Sequence, residues 1–239
     1  MDTAKTAASP RWPLADFWQG VADIAPILLG IAPFGITYGI VGLTVGLTPA
    51  ETLLMSLTVF AGAAQFVAAT MIGLGVRDFS LVVFTTLLIN LRHLLMGASL
   101  APYLTRVPMA RQAFLAFGMV DETYAVTMDR LTRHAYSDSH QLGTQTAAYL
   151  TWALSTIVGI ALGEYIPDPL AWGLDFALPA TFLAMLVPRL VSKTSLIVCL
   201  TAGALAVAAA LYLPGKWYII VACLAATLVG GLLEKEETA

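Results

Sequence analysis

Charged residues are scarce in this sequence. Of its 239 residues, 12 are Lys or Arg and 15 are Asp or Glu, so 11% of the chain is charged and the formal net charge is −3. Soluble domains carry about 25% charged residues. The scarcity excludes an ordinary soluble domain, and the lack of a basic excess excludes a nucleic-acid-binding surface. Because 59% of the residues are hydrophobic, the composition predicts an all-α polytopic membrane protein.

The sequence also lacks the motifs of familiar enzyme, metal and cofactor sites. It contains no G-x-x-x-x-G-K-[ST] phosphate loop, no H-E-x-x-H zinc site and no G-x-S-x-G nucleophile motif. Its two cysteines, Cys199 and Cys223, lie in apolar runs and fit no metal-binding spacing. His134 and His140 fall in the polar stretch 129–141, without metal-binding partners at helical spacing. We therefore expect no enzymatic activity, no cofactor and no metal.

Long apolar stretches dominate the chain instead. A helix that crosses a bilayer needs about 20 mostly apolar residues. The candidate segments are 21–47, 52–75, 79–101, 112–129, 143–163, 172–190, 195–213 and 216–233. No change of composition marks a domain boundary, so we predict a single transmembrane domain over 21–233. A polar cytoplasmic tail at 1–20, without the features of a signal peptide, and an acidic cytoplasmic tail at 234–239 would flank it.

The distribution of Lys and Arg predicts an orientation and leaves the number of crossings open. Lys and Arg residues occur in the N-terminal tail and in the connections at 76–79, 129–141 and 189–193, whereas the connections at 48–51 and 164–171 carry none. Eight crossings with both chain ends in the cytoplasm fit this distribution, but would place Arg106 and Arg111 outside. If 79–101 or 112–129 were re-entrant, the chain would cross seven times. The sequence leaves open whether the chain crosses the membrane seven or eight times.

Proline and glycine are concentrated in two stretches that each begin with an aspartate, DIAPILLGIAPF (23–34) and DFALPATFLAMLVP (175–188). Interrupted helices in corresponding halves of a chain mark the substrate sites of many transporters. We accordingly expect helix breaks at Pro26, Pro33 and Pro179. The alternative is that Pro and Gly are simply more frequent in membrane helices.

Arg92 and His93 stand side by side in an apolar segment. A charge at the middle of a bilayer costs on the order of several kcal/mol, and Arg cannot lose its proton to avoid that cost. Three interpretations of Arg92 remain open: an ion pair that fixes helix packing, recognition of a carboxylate ligand, or extension to a nearby membrane interface. His93 either carries protons or serves as a hydrogen-bonding packing residue.

Further polar residues lie in other apolar segments. Asp121 and Glu122 would point about 100° apart on a helix, so we expect Asp121 to face a cavity, with a salt bridge to Arg92 as the alternative. Gln65 follows Gly62 among small residues, which suits either close helix packing or an unwound stretch that binds a ligand. The candidate binding or coupling residues are Asp23, Gly62, Gln65, Asn90, Arg92, His93, Asp121, Glu122 and Thr123.

Four stretches resemble motifs of one known family. They are FAGAAQFVAATMIG (60–73), INLRHLLMGASLAP (89–102), AFGMVDETYAV (116–126) and LDFALPATFLAMLVP (174–188). In this order and spacing they resemble the AzlC family, the large subunits of bacterial branched-chain amino acid exporters of the LIV-E type. The resemblance extends over roughly residues 17–233.

The resemblance implies a secondary transporter in the bacterial cytoplasmic (inner) membrane. Such a protein would export valine, leucine, isoleucine and in some cases methionine by proton antiport, in a heteromeric complex with a small AzlD-type membrane subunit. In this interpretation Arg92 or a helix N-terminus binds the substrate carboxylate, and Asp121 or Asp23 takes the amine or the coupling proton. Gln65, Asn90 and Thr123 would orient the polar end. The alternatives are a transporter of another small solute and a non-transporting membrane subunit of a complex.

Overall fold

The structure, a computed structural model, describes residues 13–105, 107–165, 183, 186–187, 190–213 and 217–237. These residues form nine helices and contain no strand. The helices are α1 Leu14–Thr44, α2 Pro49–Val59, α3 Gly62–Gly73, α4 Phe79–Leu104, α5 Met109–Phe117, α6 Asp121–Arg133, α7 Asp138–Tyr165, α8 Lys193–Tyr212 and α9 Trp217–Glu237. The predicted all-α fold is confirmed.

Four of the helices, α1, α4, α7 and α8, are long and apolar enough to cross a membrane. The shorter helix α3 is also apolar. With these segments the chain is a polytopic membrane protein, as its composition predicts. The number of crossings and the orientation of the N-terminus stay predictions.

Two segments that the sequence suggests as continuous are each divided into two helices. The first break lies at Phe60 and Ala61, between α2 and α3, and Phe60 adopts a left-handed conformation with φ 43°. The second break lies at 118–120, between α5 and α6. Each of these four helices is 9 to 13 residues long. None of them can cross the roughly 30 Å of a bilayer core alone.

The helix breaks expected at Pro26 and Pro33 are not observed. Helix α1 continues through both prolines, although each proline removes one backbone hydrogen bond. Membrane helices tolerate this loss when neighbouring helices hold them in place, and α1 packs along α7 for most of its length. The expected break at Pro179 lies outside the described residues.

Glycines allow α1 and α7 to pack with their backbones in contact. A Cβ atom on Gly20 would collide with the backbone oxygen of His140, and one on Gly143 with the backbone oxygen of Phe17. Similarly, a Cβ on Gly39 would lie 2.8 Å from the Cα of Gly159. Small residues permit this close approach of membrane helices. The two helices therefore form the centre of the unit to which they belong.

The chain divides into two compact units. The first contains the described residues within 1–77 and 89–174, and α1, α2, α3, α5, α6 and α7 contact one another there. The second contains those within 78–88 and 175–239, where α8 packs against α9.

The polar stretch 129–141 is mostly helical. Helix α6 extends to Arg133 and α7 begins at Asp138, so only 134–137 connect them. The sequence interpretation that left His140 in a loop is therefore wrong. His140 lies in the first turn of α7, and its side chain is fully buried.

Candidate functional site

One face of α7 supports the ends of both interrupted segments. Tyr149 donates its hydroxyl hydrogen to the backbone oxygen of Leu57 in the last turn of α2, at 2.9 Å. Gln145, four residues earlier, donates its amide hydrogen to the backbone oxygen of Leu115 in the last turn of α5, at 2.7 Å. The last carbonyls of a helix have no partner within the helix. These two side chains supply partners for them, which helps to hold α2 and α5 at their breaks.

The two breaks lie next to each other. The ring of Phe60 in the first break is 6.4 Å from that of Phe117, the last residue before the second break. Both rings also contact Tyr149, with centroid distances of 5.1 Å and 6.1 Å. A single residue of α7, Tyr149, therefore contacts the residues at both breaks.

A buried hydrogen-bond network surrounds the first break. Gln65 is fully buried, donates its amide hydrogen to Ser56 at 3.1 Å and accepts the indole hydrogen of Trp152 at 3.1 Å. Ser56 in turn bonds Thr156 at 2.9 Å. Because both ends of its amide group have protein partners and the side chain is fully buried, Gln65 joins α2, α3 and α7 and is not exposed for direct contact with a ligand. Gly62 lies beside the ring of Trp152, where a Cβ atom would come within 3.0 Å.

Arg92 of α4 forms an ion pair with Asp121, the first residue of α6, and the guanidinium and carboxylate atoms are 2.5 Å apart. The side chains are 28% and 27% exposed, so neither is sealed in the interior. The N-terminus of α6 also favours a negative charge. The Nε atom of Arg92 is buried and has no hydrogen-bond partner among the described residues. The Nε–H group of Arg92 is thus a donor to which a further anionic group could bind.

The second break is closed by a local cap. The hydroxyl of Thr123 accepts the backbone hydrogen of Val120 at 3.0 Å and lies 3.2 Å from the backbone oxygen of Gly118. Thr123 is fully buried, so its side chain is used inside the protein. Glu122 lies in the same first turn of α6 as Asp121.

The predicted residues of α4 lie within one turn of one another. The Nδ1 atom of His93 is 3.2 Å from the backbone oxygen of Asn90. The side-chain oxygen of Asn90 is buried without a hydrogen-bond partner in the described part of the chain. Arg92 lies between them in sequence and reaches Asp121.

Asp23 does not join the Arg92–Asp121 pair. Its carboxylate is 2.8 Å from the Nε2 atom of His140. The predicted residues therefore separate into three groups: Gly62 and Gln65 at the first break, the α4 residues with Asp121 to Thr123 at the second, and Asp23 on α1.

Four residues of this arrangement escaped sequence reasoning: His140, Gln145, Tyr149 and Trp152. All lie on α7. Gln145, Tyr149 and Trp152 are spaced at i, i+4 and i+7, which places them on one helix face. This spacing of polar and aromatic residues in an apolar segment was the signal that could have found them. No such local signal links His140 to Asp23, which is 117 residues away.

Comparison with known proteins gives consistent matches. The family model described as "AzlC protein" matches residues 26–166. "Inner membrane protein YgaZ" of Escherichia coli (strain K12) is 30% identical, over 80% of this chain and 81% of that protein. "Branched-chain amino acid transport protein AzlC" of Bacillus subtilis (strain 168) is 29% identical, over 99% of this chain and 93% of that protein. No solved structure matches.

Proposed function

Because the chain belongs to the AzlC family, we propose that it is the large subunit of a two-component secondary transporter. It exports branched-chain amino acids (valine, leucine, isoleucine and in some cases methionine) by proton antiport across the bacterial inner membrane. Its partner is a small AzlD-type membrane subunit, and residues 1–20 and 234–239 face the cytoplasm. The names of the Bacillus subtilis and Escherichia coli relatives support the substrate class and the membrane.

The Arg92–Asp121 ion pair beside the second helix break is the observation that carries this proposal. A zwitterionic amino acid needs a cation for its carboxylate and an anion for its ammonium group. When an amino acid binds between Arg92 and Asp121, two ion pairs replace the one between these residues. Arg92 then pairs with the substrate carboxylate, and Asp121 pairs with its ammonium group. All four charges then stay paired, which avoids the cost of an unpaired charge in a poorly solvated site. Glu122 lies in the same turn of α6, about 100° around the helix from Asp121.

An apolar pocket would select the substrate side chain only loosely. One methylene group in such a pocket changes binding by about 1–3 kcal/mol. We therefore expect valine, leucine, isoleucine and methionine to compete with one another for transport. Strict use of one of them would argue against this site.

The closed ion pair also favours a second candidate function, a non-transporting membrane subunit. In that case the pair only fixes α4 against α6, and its charges are complete without a ligand. Exchange of the two charges in Arg92→Asp with Asp121→Arg would then preserve the activity of the complex. A substrate site oriented by α6 would not tolerate the exchange, because it reverses the positions of the two charges.

Uptake of radiolabelled valine into inside-out membrane vesicles tests the proposal. Vesicles are prepared with this chain alone, the AzlD-type partner alone, or both, with and without an acid-inside pH gradient. We expect accumulation only with both subunits and the gradient. If both subunits are present and none of the four amino acids is taken up or exchanged, the proposed substrate class is wrong. Another small solute then becomes the leading alternative.

A further inference from the structure

A second polar pair lies apart from Arg92 and Asp121, where the first turns of α1 meet the start of α7. The Nε2 atom of His140 is 2.8 Å from a carboxylate oxygen of Asp23. The imidazole is fully buried, whereas the carboxylate is 43% exposed. Asp23 also lines a cavity of about 410 Å³ together with Gln19 and Arg130. The buried imidazole of His140 is thus linked to an open cavity through the carboxylate of Asp23.

Contacts with α1 and with Ser137 fix the backbone that carries this imidazole. Gly20 on α1 leaves no room for a Cβ atom beside the backbone oxygen of His140. The backbone hydrogen of His140 is donated to the hydroxyl of Ser137 at 3.3 Å, and Ser137 donates its hydroxyl hydrogen to Asp16 at 2.5 Å. Both ends of this chain of contacts lie on α1. The backbone that carries the imidazole therefore cannot move without a change in the α1–α7 contact.

The permanent cations near the pair are engaged elsewhere. Arg130 contacts Asp16 at 3.5 Å, and Arg133 binds Asp129 at 2.7 Å. In the part of the chain that the structure describes, Asp23 pairs with no Lys or Arg. The charge of the Asp23–His140 pair therefore depends on whether the imidazole holds a second proton.

Several other titratable and charged groups lie on the elements packed around the pair. They are Asp16 on α1, Asp129, Arg130 and Arg133 on α6, His134 and Tyr136 in the connection, and Asp138 on α7, which is paired with Arg111. Burial raises the pKa of the Tyr136 hydroxyl. Tyr136 therefore stays protonated as a donor to Gln141. Of the side-chain types in and around the pair, histidine alone ordinarily changes charge near neutral pH.

The second nitrogen of the buried imidazole links protonation to conformation. Nδ1 of His140 is buried and has no hydrogen-bond partner among the described residues. When Nε2 donates its hydrogen to Asp23, Nδ1 carries a lone pair, and the neutral ring fits this conformation. A second proton would bind at Nδ1 and create a buried donor without an acceptor, which is unfavourable. The protonated pair therefore favours an arrangement in which Nδ1 gains an acceptor, either protein or water.

From these contacts we infer that Asp23 and His140 are the proton-carrying pair of the transporter. This inference rests on the proposed function and names the groups through which its proton coupling acts. A proton enters through the cavity that Asp23 lines, binds the lone pair on Nδ1 of His140 in an arrangement that opens Nδ1 to water or a protein acceptor, and raises the charge of the pair by one. It leaves when α1 and α7 return to the arrangement seen here. The rival explanation is that the pair only fastens α1 to α7.

Two transport modes of the reconstituted complex separate these explanations. Accumulation of valine driven by an acid-inside pH gradient requires proton movement, whereas exchange of labelled for unlabelled valine across the membrane does not. His140→Gln keeps a donor for Asp23 but cannot titrate near neutral pH. We expect His140→Gln to retain exchange and to lose gradient-driven accumulation to the level seen without a gradient. Asp23→Asn should impair gradient-driven accumulation more than exchange.

His134→Gln is the matched control, because His134 is exposed at the end of α6 and its ring forms no hydrogen bond with the described residues. It should retain both transport modes. Gradient-driven accumulation at the wild-type level in His140→Gln overturns the inference, since a merely structural pair predicts that result. Absence of valine exchange in the wild-type complex would instead overturn the proposed function, so the two failures are distinguishable.

A spectroscopic measurement decides the matter if His140→Gln does not fold. The chain has only three histidines. Nuclear magnetic resonance of the complex, with ¹⁵N-histidine in this chain only, can therefore assign His140 by elimination, with His93→Gln and His134→Gln. We expect the His140 nitrogens to report a change of protonation with pH that shifts when valine is added. Signals that show no such change, with or without valine, overturn the inference.

Discussion

Tyr149 of α7 binds the backbone oxygen of Leu57 at the end of α2, and its ring also contacts Phe117 at the end of α5. One side chain therefore touches both interrupted segments. Discontinuous helices leave backbone groups that face a substrate in many transporters. In this protein the continuous helix α7 supplies hydrogen-bond partners for some of those backbone groups and holds the two breaks next to each other.

The hydrogen bond from Tyr149 should contribute measurably to stability. Tyr149→Phe leaves the Leu57 oxygen without its partner, and we expect the free energy of unfolding to fall by about 1 kcal/mol. Tyr165→Phe at the C-terminal end of α7 is the control, because Tyr165 is 84% exposed. Thermal unfolding of the purified complex measures both. Equal melting temperatures for the two variants would show that the Leu57 contact has no energetic role.

Gly39 and Gly30 of α1 offer a matched test of the α1–α7 contact. A Cβ atom on Gly39 would lie 2.7 Å from the backbone nitrogen of Ile160, whereas one on Gly30 would meet no atom within 4 Å. Gly39→Ala should therefore destabilise the protein by about 1–3 kcal/mol through overpacking. Gly30→Ala should be neutral or stabilise by up to about 1 kcal/mol, because Ala favours the helix. The same sign of change for both variants in thermal unfolding would be incompatible with the close packing described.

Gln65 should act on stability more than on substrate binding. Gln65→Leu leaves the indole hydrogen of Trp152 without its acceptor and removes one of the two partners of Ser56, and a buried polar group left unpartnered costs about 1–3 kcal/mol. Binding of labelled valine to the folded fraction should change much less than in Arg92→Gln. If Gln65→Leu keeps its melting temperature but loses valine binding, Gln65 contacts the substrate and the network interpretation is wrong.

Arg92 and Asp121 should not be interchangeable. Arg92→Gln leaves the carboxylate of Asp121 without its cation, and Asp121→Asn leaves Arg92 without its anion. Each variant should abolish valine transport, and the double variant Arg92→Asp with Asp121→Arg should restore stability without restoring transport. Melting temperature and valine exchange, measured on the same preparations, separate the two effects. Restored transport in the double variant would support a purely structural pair.

The sequence predicted the helices better than their breaks. Hydropathy located α1, α4 and α8, because about 20 apolar residues are a strong and local signal. Proline was a poor guide to interruptions, since the packing of α1 on α7 outweighs the loss of two hydrogen bonds. The observed break at Phe60 depends on one left-handed residue, for which a phenylalanine gives no warning in sequence.

The candidate site was predictable in part. Arg92 and Asp121 were both recognisable as charges in apolar segments, and their pairing was one of the interpretations left open. The partner of Asp23 could not be read from the sequence, because His140 belongs to a distant helix and its surroundings look like a polar loop. Contacts of this kind depend on tertiary packing, which no local pattern encodes.

Binding of truncated valine analogues tests the assignment of Arg92 and Asp121 most directly. Isobutylamine lacks the carboxylate of valine, and isovalerate lacks its ammonium group. In competition with labelled valine, both should bind weakly to the wild-type complex, since each leaves one charge of the site unpaired. Arg92→Gln should bind valine and isobutylamine with similar affinity, and Asp121→Asn should bind valine and isovalerate similarly. Variants that discriminate among the three ligands as the wild type does would contradict the account.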